Sequence, residues 1–209
     1  MPKTLPEIIY NSNYSNNEVD STNSMYKLQN FKDEDYFSDY ENWTKFIKKV
    51  EATVRRSPRY KAYIKYLKTE IQLNRCQVLK NVTDEDASIN MHHGPIFTLF
   101  DVTAIILEYF LIKKWKIDTF SIADAVLREH EENHVQVVMV STTVHEQIHN
   151  GELFINHHQA WGDLSAFTKK YWIAISNEYR EQLNKYIDRS SLYSSNDFGV
   201  FNLNPELGK

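Results

Sequence analysis

Four histidines in two short stretches carry the chemistry this chain could do. In Thr142-Thr143-Val144-His145-Glu146-Gln147-Ile148-His149-Asn150-Gly151, His145 and His149 stand four apart. On a helix that spacing puts two imidazoles on one face, close enough to share a metal ion. Upstream, Met91-His92-His93-Gly94-Pro95 supplies an adjacent pair. Neutral imidazole is both a metal ligand and a base suited to pH 7, so such a set serves ligation, proton transfer or both. The remaining histidines, His130, His134, His157 and His158, lie outside these stretches and read as surface or satisfied core residues.

The elements that must position the four are legible from periodicity and turn residues. Ser141 or Thr142 caps a short helix bearing His145 and His149, and Asn150-Gly151 stops it at once. Before it, Val135 to Val140 is the clearest strand in the chain, rich in β-branched residues. Arg75 to Val82 and Ala87 to Met91 read as two short strands, with Thr83-Asp84-Glu85-Asp86 as the turn of a hairpin that leads into His92-His93. Thr98 to Ile112 predicts a buried helix, and Ser121 opens another to about Glu132. Gly151 to Ile155 is one more expected strand, Ala160 to Tyr186 a helix with an aromatic face, and Ser190 onward a polar, loop-like end.

On the N-terminal side, residues 1–35 are Asn- and Ser-rich with isolated apolars and predict an extended or flexible arm. From Tyr36 the apolar spacing becomes helical, and Ser57-Pro58 divides residues 36–74 into a helical hairpin. Positions 45 to 80 hold eleven Lys and Arg against Glu51 and Glu70, a local balance of +9 in a chain of net charge −4. A basic block inside an acidic chain is a footprint for a polyanion or a pair of solvated faces. If it grips phosphates, Arg55, Arg56, Arg59, Lys61, Lys65 and Lys68 are the contacts, and the partner is DNA or RNA.

Composition bounds the rest. The 209 residues suffice for one medium domain with a real core, and five glycines with five prolines favour helices over many tight turns. A single Cys76 excludes an internal disulfide and a Cys-based zinc site, which fits a reducing cytoplasm. The start, Met-Pro-Lys-Thr-Leu-Pro-Glu, lacks a basic segment followed by an apolar run, so no signal peptide is expected. The most apolar run, Ile96 to Ile112, is interrupted by Asp101 and Glu108, so no membrane span is expected either.

Two metal chemistries compete for the same residues. Taken alone, His145-Glu146-Gln147-Ile148-His149 matches the H-E-x-x-H pattern of zinc peptidases, with both histidines on zinc, Glu146 as base and Glu178 a conceivable third ligand. Helices of that kind continue past the second histidine, whereas Asn150-Gly151 closes this one, and His92-His93 are left without a task. Taken together, the two clusters resemble the His-Asn-His (HNH) endonucleases of ββα-metal fold. The matching residues are His92 and His93, Asn133 before the Val135 to Val140 strand, and His145 and His149 on the short helix.

That resemblance implies that His92, His145 and His149 hold one divalent cation (Mg, Mn, Zn or Ni), that His93 is the general base, and that Asn133 ties the loop between the strands. Glu146 is then a solvated neighbour of the ligands. Phosphodiester hydrolysis needs both parts, a base for the water and a cation for charge on the phosphoryl group and leaving oxygen. Asn133 lies 40 positions after His93, a long interval that two inserted helices account for, and the family's frequent zinc-knuckle cysteines are absent. The Asn-rich, Gly-poor composition is similar to that of phage-encoded proteins.

The expectation is a mixed α+β protein, mostly helical. It divides into an arm (1–35), a basic helical hairpin (36–74), a small ββα-metal core elaborated by helices (75–155), and a C-terminal helix and tail (156–209). Its expected activity is metal-dependent DNA hydrolysis in the cytoplasm, the host's if phage-encoded. The rival of another class is a non-catalytic nucleic-acid-binding or phage assembly protein that keeps the fold, its histidines holding a structural metal.

Overall fold

Asp39 sets the first long helix: its carboxylate accepts from the backbone N–H of Glu41 and Asn42, satisfying donors that the first turn leaves unpaired. This helix, α2 (Tyr40–Arg56), follows the short α1 (Glu34–Ser38) and buries Phe46, Ile47, Val50 and Val54 along one face. Ser57 ends it and caps α3 (Pro58–Thr69), with Pro58 in the first turn, where the missing N–H costs nothing. The computed structural model describes residues 34–191, so the arm expected over 1–35 lies, up to residue 33, outside the described residues, as does the tail beyond 191.

Thr98 and Asp101 form a reciprocal capping box at the start of α4 (Leu99–Lys113), and Asp118 with Ser121 does the same for α5 (Thr119–Glu131). Seven residues of α4 between Leu99 and Leu107 are buried, on nearly all sides of the helix, which makes it the central helix of the fold. Buried side chains from Phe37 to Ile175 belong to one hydrophobic cluster. The protein is α+β and mostly helical, with a single two-stranded antiparallel sheet among the described residues. No helix there is long and apolar enough to cross a membrane.

The sheet differs from the expected hairpin. Strand β1 (Ile89–His93) pairs with β2 (Val137–Ser141), His92 opposite Val138 and His93 opposite Val137. Residues 75–82 form no strand and meet Thr83 through one isolated bridge from Arg75. Gln77 instead clips onto β2: its N–H donates to the Met139 carbonyl (2.8 Å) and its Oε1 accepts from Met139 N–H (2.7 Å). Gln77 thus stands in for a strand partner at Met139, on the edge where Trp161 pairs with Val137.

Downstream, residues 151–155 form no strand. The expected helix over 160–186 is broken into α7 (Leu164–Tyr171), a 3-10 turn at Trp172–Ala174, and α8 (Asn177–Ser191). The break buries Ala174 and Ile175, and the Ser176 hydroxyl accepts from Tyr179 N–H to open α8. Helix α8 includes Ser190 and Ser191, in place of the expected loop, and the rest of that expected tail lies outside the described residues. Gly162 permits the close crossing before α7: it has φ +118°, and a Cβ there would stand 2.3 Å from the Val135 carbonyl oxygen.

Candidate metal centre

Helix α6 (Thr142–His149) leaves the end of β2 without a loop and packs on both strands. That path sets its first turns over β1, where His92 projects. The rings of His92, His145 and His149 meet there, with centroids 5.0 Å apart for His92 with each helix histidine and 4.5 Å for His145 with His149. One nitrogen from each ring lies within 4.8 Å of the others. His92 is buried, His145 half-buried and His149 exposed. Loss of hydration, then the neighbouring His145 and His149, lowers the His92 pKa to about 4. Burial and His149 also lower that of His145, so both rings are neutral near pH 7.

His93 is turned the other way, because successive strand residues point to opposite faces. It is 6% exposed, lies parallel to the Tyr60 ring at 6.1 Å, and its Nε2 is 2.9 Å from Nε2 of His130. The tautomers follow from the next bond. His130 Nδ1 is 2.7 Å from the Val126 carbonyl and must carry a proton to donate to it. With His130 neutral, its Nε2 accepts and His93 Nε2–H donates. Burial drives both imidazoles well below their ordinary range, His130 to about 4. His93 is therefore a core residue facing away from the three-histidine cluster, with no access to a water held there.

Asn133 follows α5 in a left-handed conformation (φ 57°) and anchors the chain around residue 162. Its Oδ1 accepts from Trp161 Nε1 (3.0 Å) and its carbonyl from Asp163 N–H (2.6 Å). It ties a loop, but not one between the two strands. The third residue beside His145 and His149 is His92 rather than Glu178, which borders an apolar cleft with Tyr40, Trp43, Phe100 and Tyr179. Glu146 is exposed. Of the six basic residues, Arg55, Arg56, Lys61 and Lys65 are exposed and Lys68 is half-buried. Arg59 is committed internally: it grips Glu131 through two bonds (2.7 and 2.6 Å) and Asp124 through a third (2.6 Å).

A second cluster, Glu129, Glu132 and His134, escaped the sequence reading. Glu129 is 1% exposed and accepts from Lys170 Nζ (2.5 Å), Tyr171 hydroxyl (2.7 Å) and His134 Nδ1 (2.8 Å). The ammonium already occupies the place a cation would take, so this is an internal charge network. A lone Glu129 in an amphipathic helix carries no sequence signal of such burial. Gly94, next to the strand that carries His92, has φ +136°, and a Cβ there would come 3.4 Å from His92 Nε2.

Comparison with known proteins changes what this geometry is for. No curated protein and no solved structure matches the chain significantly. A family model described as "Bacteriophage G278-like virion protein" matches residues 1–202. That match overturns both the endonuclease resemblance and the enzymatic reading built on it, the zinc-peptidase version included; of the earlier expectations it favours the non-catalytic phage assembly protein. The short H-x-x-x-H and His-His patterns are too small to specify a nuclease against a match of this length, which makes this chain a member of the bacteriophage G278-like virion protein family.

Proposed function

We propose that this protein is a non-catalytic structural component of a bacteriophage particle, acting through assembly rather than bond cleavage. The observation that carries the reading is the virion-protein match across residues 1–202. The orientation of His93 supports it: the group that hydrolysis would need as a base is hydrogen-bonded inside the core. Assembly takes place in the host cytoplasm, and the finished location is the particle.

Within that role the cations of α3 and the end of α2, exposed apart from the half-buried Lys68, suit contact with nucleic-acid phosphate. Lys61, Lys65 and Lys68 recur at i, i+4 and i+7 along α3, with Arg55 and Arg56 at the end of the preceding helix. The test pairs two measurements. Purified protein incubated with supercoiled plasmid and Mg²⁺, Mn²⁺ or Zn²⁺ leaves the plasmid intact, and phage carrying an amber codon in the gene yields defective particles in a non-suppressing host. Nicking by the wild type that His93→Ala removes, with normal particles from the amber phage, overturns the reading.

A further inference from the structure

We propose that His92, His145 and His149 bind one divalent transition-metal ion of the zinc, cobalt or nickel class, and that this ion clamps α6 to β1. The first support is the geometry of the rings. A tetrahedral ion with Zn–N bonds of about 2.0–2.1 Å holds its ligand nitrogens about 3.4 Å apart and the imidazole centres about 5 Å apart. The observed centroid separations of 5.0, 5.0 and 4.5 Å already lie in that range. The nitrogens, within 4.8 Å of one another, close the remaining distance by small ring rotations.

A second support is what the rings lack. No described residue forms a hydrogen bond with any of their six nitrogens, although His92 is only 8% exposed. The neighbouring His93, by contrast, has its partner in His130. The three rings thus keep their nitrogens uncommitted to other side chains, so a shared ion can take one from each. Gly94 lies beside the cluster: its φ of +136° favours glycine, and a Cβ there would come into van der Waals contact with His92 Nε2 at 3.4 Å.

The fold gives the ion something to do. Helix α6 has eight residues, buries only Val144, and receives no side-chain cap from Ser141. A helix of that length is marginal without tertiary support. Two of its side chains bonded through a cation to His92 on β1 fix it across the sheet. Three imidazoles, nitrogen donors of borderline softness, favour zinc-class ions over Mg²⁺ or Ca²⁺, which take oxygen ligands. The fourth position is left to water or to a donor from a neighbouring molecule.

The test uses the full-length protein stripped with a chelator and checked for folding by circular dichroism. Equilibrium dialysis against Zn²⁺ is expected to give one ion per chain, and Co²⁺ a visible d–d spectrum of tetrahedral type. His149→Ala, at an exposed position, is expected to weaken Zn²⁺ binding by more than the roughly 10–100-fold that losing an outer partner of a ligand costs. Glu146→Gln should bind as the wild type does. Zinc should raise the melting temperature of the wild type and not that of His149→Ala. Folded protein that takes up no Zn²⁺, or uptake unchanged in both His145→Ala and His149→Ala, overturns the site.

Discussion

His93 Nε2 and His130 Nε2 are 2.9 Å apart in the core, while His92, one residue earlier, faces the opposite side of the sheet toward α6. The two adjacent histidines thus have unrelated duties. One completes a buried hydrogen-bonded pair; the other belongs to the three-ring cluster.

The buried pair makes stability pH-dependent. The His130 pKa falls from an ordinary value of 6.5 to about 4 because burial disfavours the imidazolium. Between those values the unfolded chain binds more protons than the folded one, so the contribution is complete above pH 6.5 and is lost as pH falls toward 4. At about 1.4 kcal/mol per pH unit, His130 alone accounts for roughly 3 kcal/mol. Urea unfolding should show its midpoint falling steadily from pH 7 to pH 4.5; a constant midpoint contradicts the assignment.

Gly162→Ala should destabilise the protein by about 2 kcal/mol or more, because φ +118° is unfavourable for alanine and its Cβ would meet the Val135 carbonyl at 2.3 Å. Gly151→Ala, with φ +73° but open space around the Cβ, should cost less, about 1 kcal/mol. Equal denaturant midpoints for the two variants would remove the close-approach argument.

Glu129→Ala leaves Tyr171 hydroxyl and His134 without their common acceptor and Lys170 without its nearest carboxylate, at a cost of about 3 kcal/mol. Glu132→Ala, at the exposed side of the same cluster, should cost less than about 1 kcal/mol. Thermal melts of the two variants check the ordering.

The fold class and most helices were legible because their signals are local. Ser57-Pro58, Thr98 with Asp101, and the β-branched run at 135–140 each fix a boundary through nearby atoms. Strand pairing was not. The partner of β1 is β2, in antiparallel register from Ile89 opposite Ser141 to His93 opposite Val137, and nothing within the 75–91 stretch says so. The 75–82 stretch meets β2 through Gln77, a contact that sequence periodicity does not encode. The meeting of His92, His145 and His149 was anticipated through a resemblance, but the role attached to it was not transferable. The three-imidazole cluster follows from the packing of α6 on β1 and β2, whereas hydrolysis also needs a base beside it, and His93 is on the other face.

Arg59 separates charge from contact. Its guanidinium is bound to Asp124 and Glu131, so Arg59→Ala should lower stability, by about 3 kcal/mol, and leave any nucleic-acid affinity unchanged. Lys61→Ala and Lys65→Ala should each reduce the salt slope of binding to duplex DNA by about 1 with little change in stability. Filter binding between 50 mM and 200 mM salt checks both; a salt slope untouched by the lysine variants removes the phosphate contact from the account.

The central claim is that the chain is built into the phage particle. Quantitative peptide mass spectrometry of gradient-purified virions, with intensities referred to the major capsid protein, tests it directly. A fixed copy number per particle that survives high-salt washing is expected. Abundant protein in the infected lysate with none retained in purified particles would contradict it.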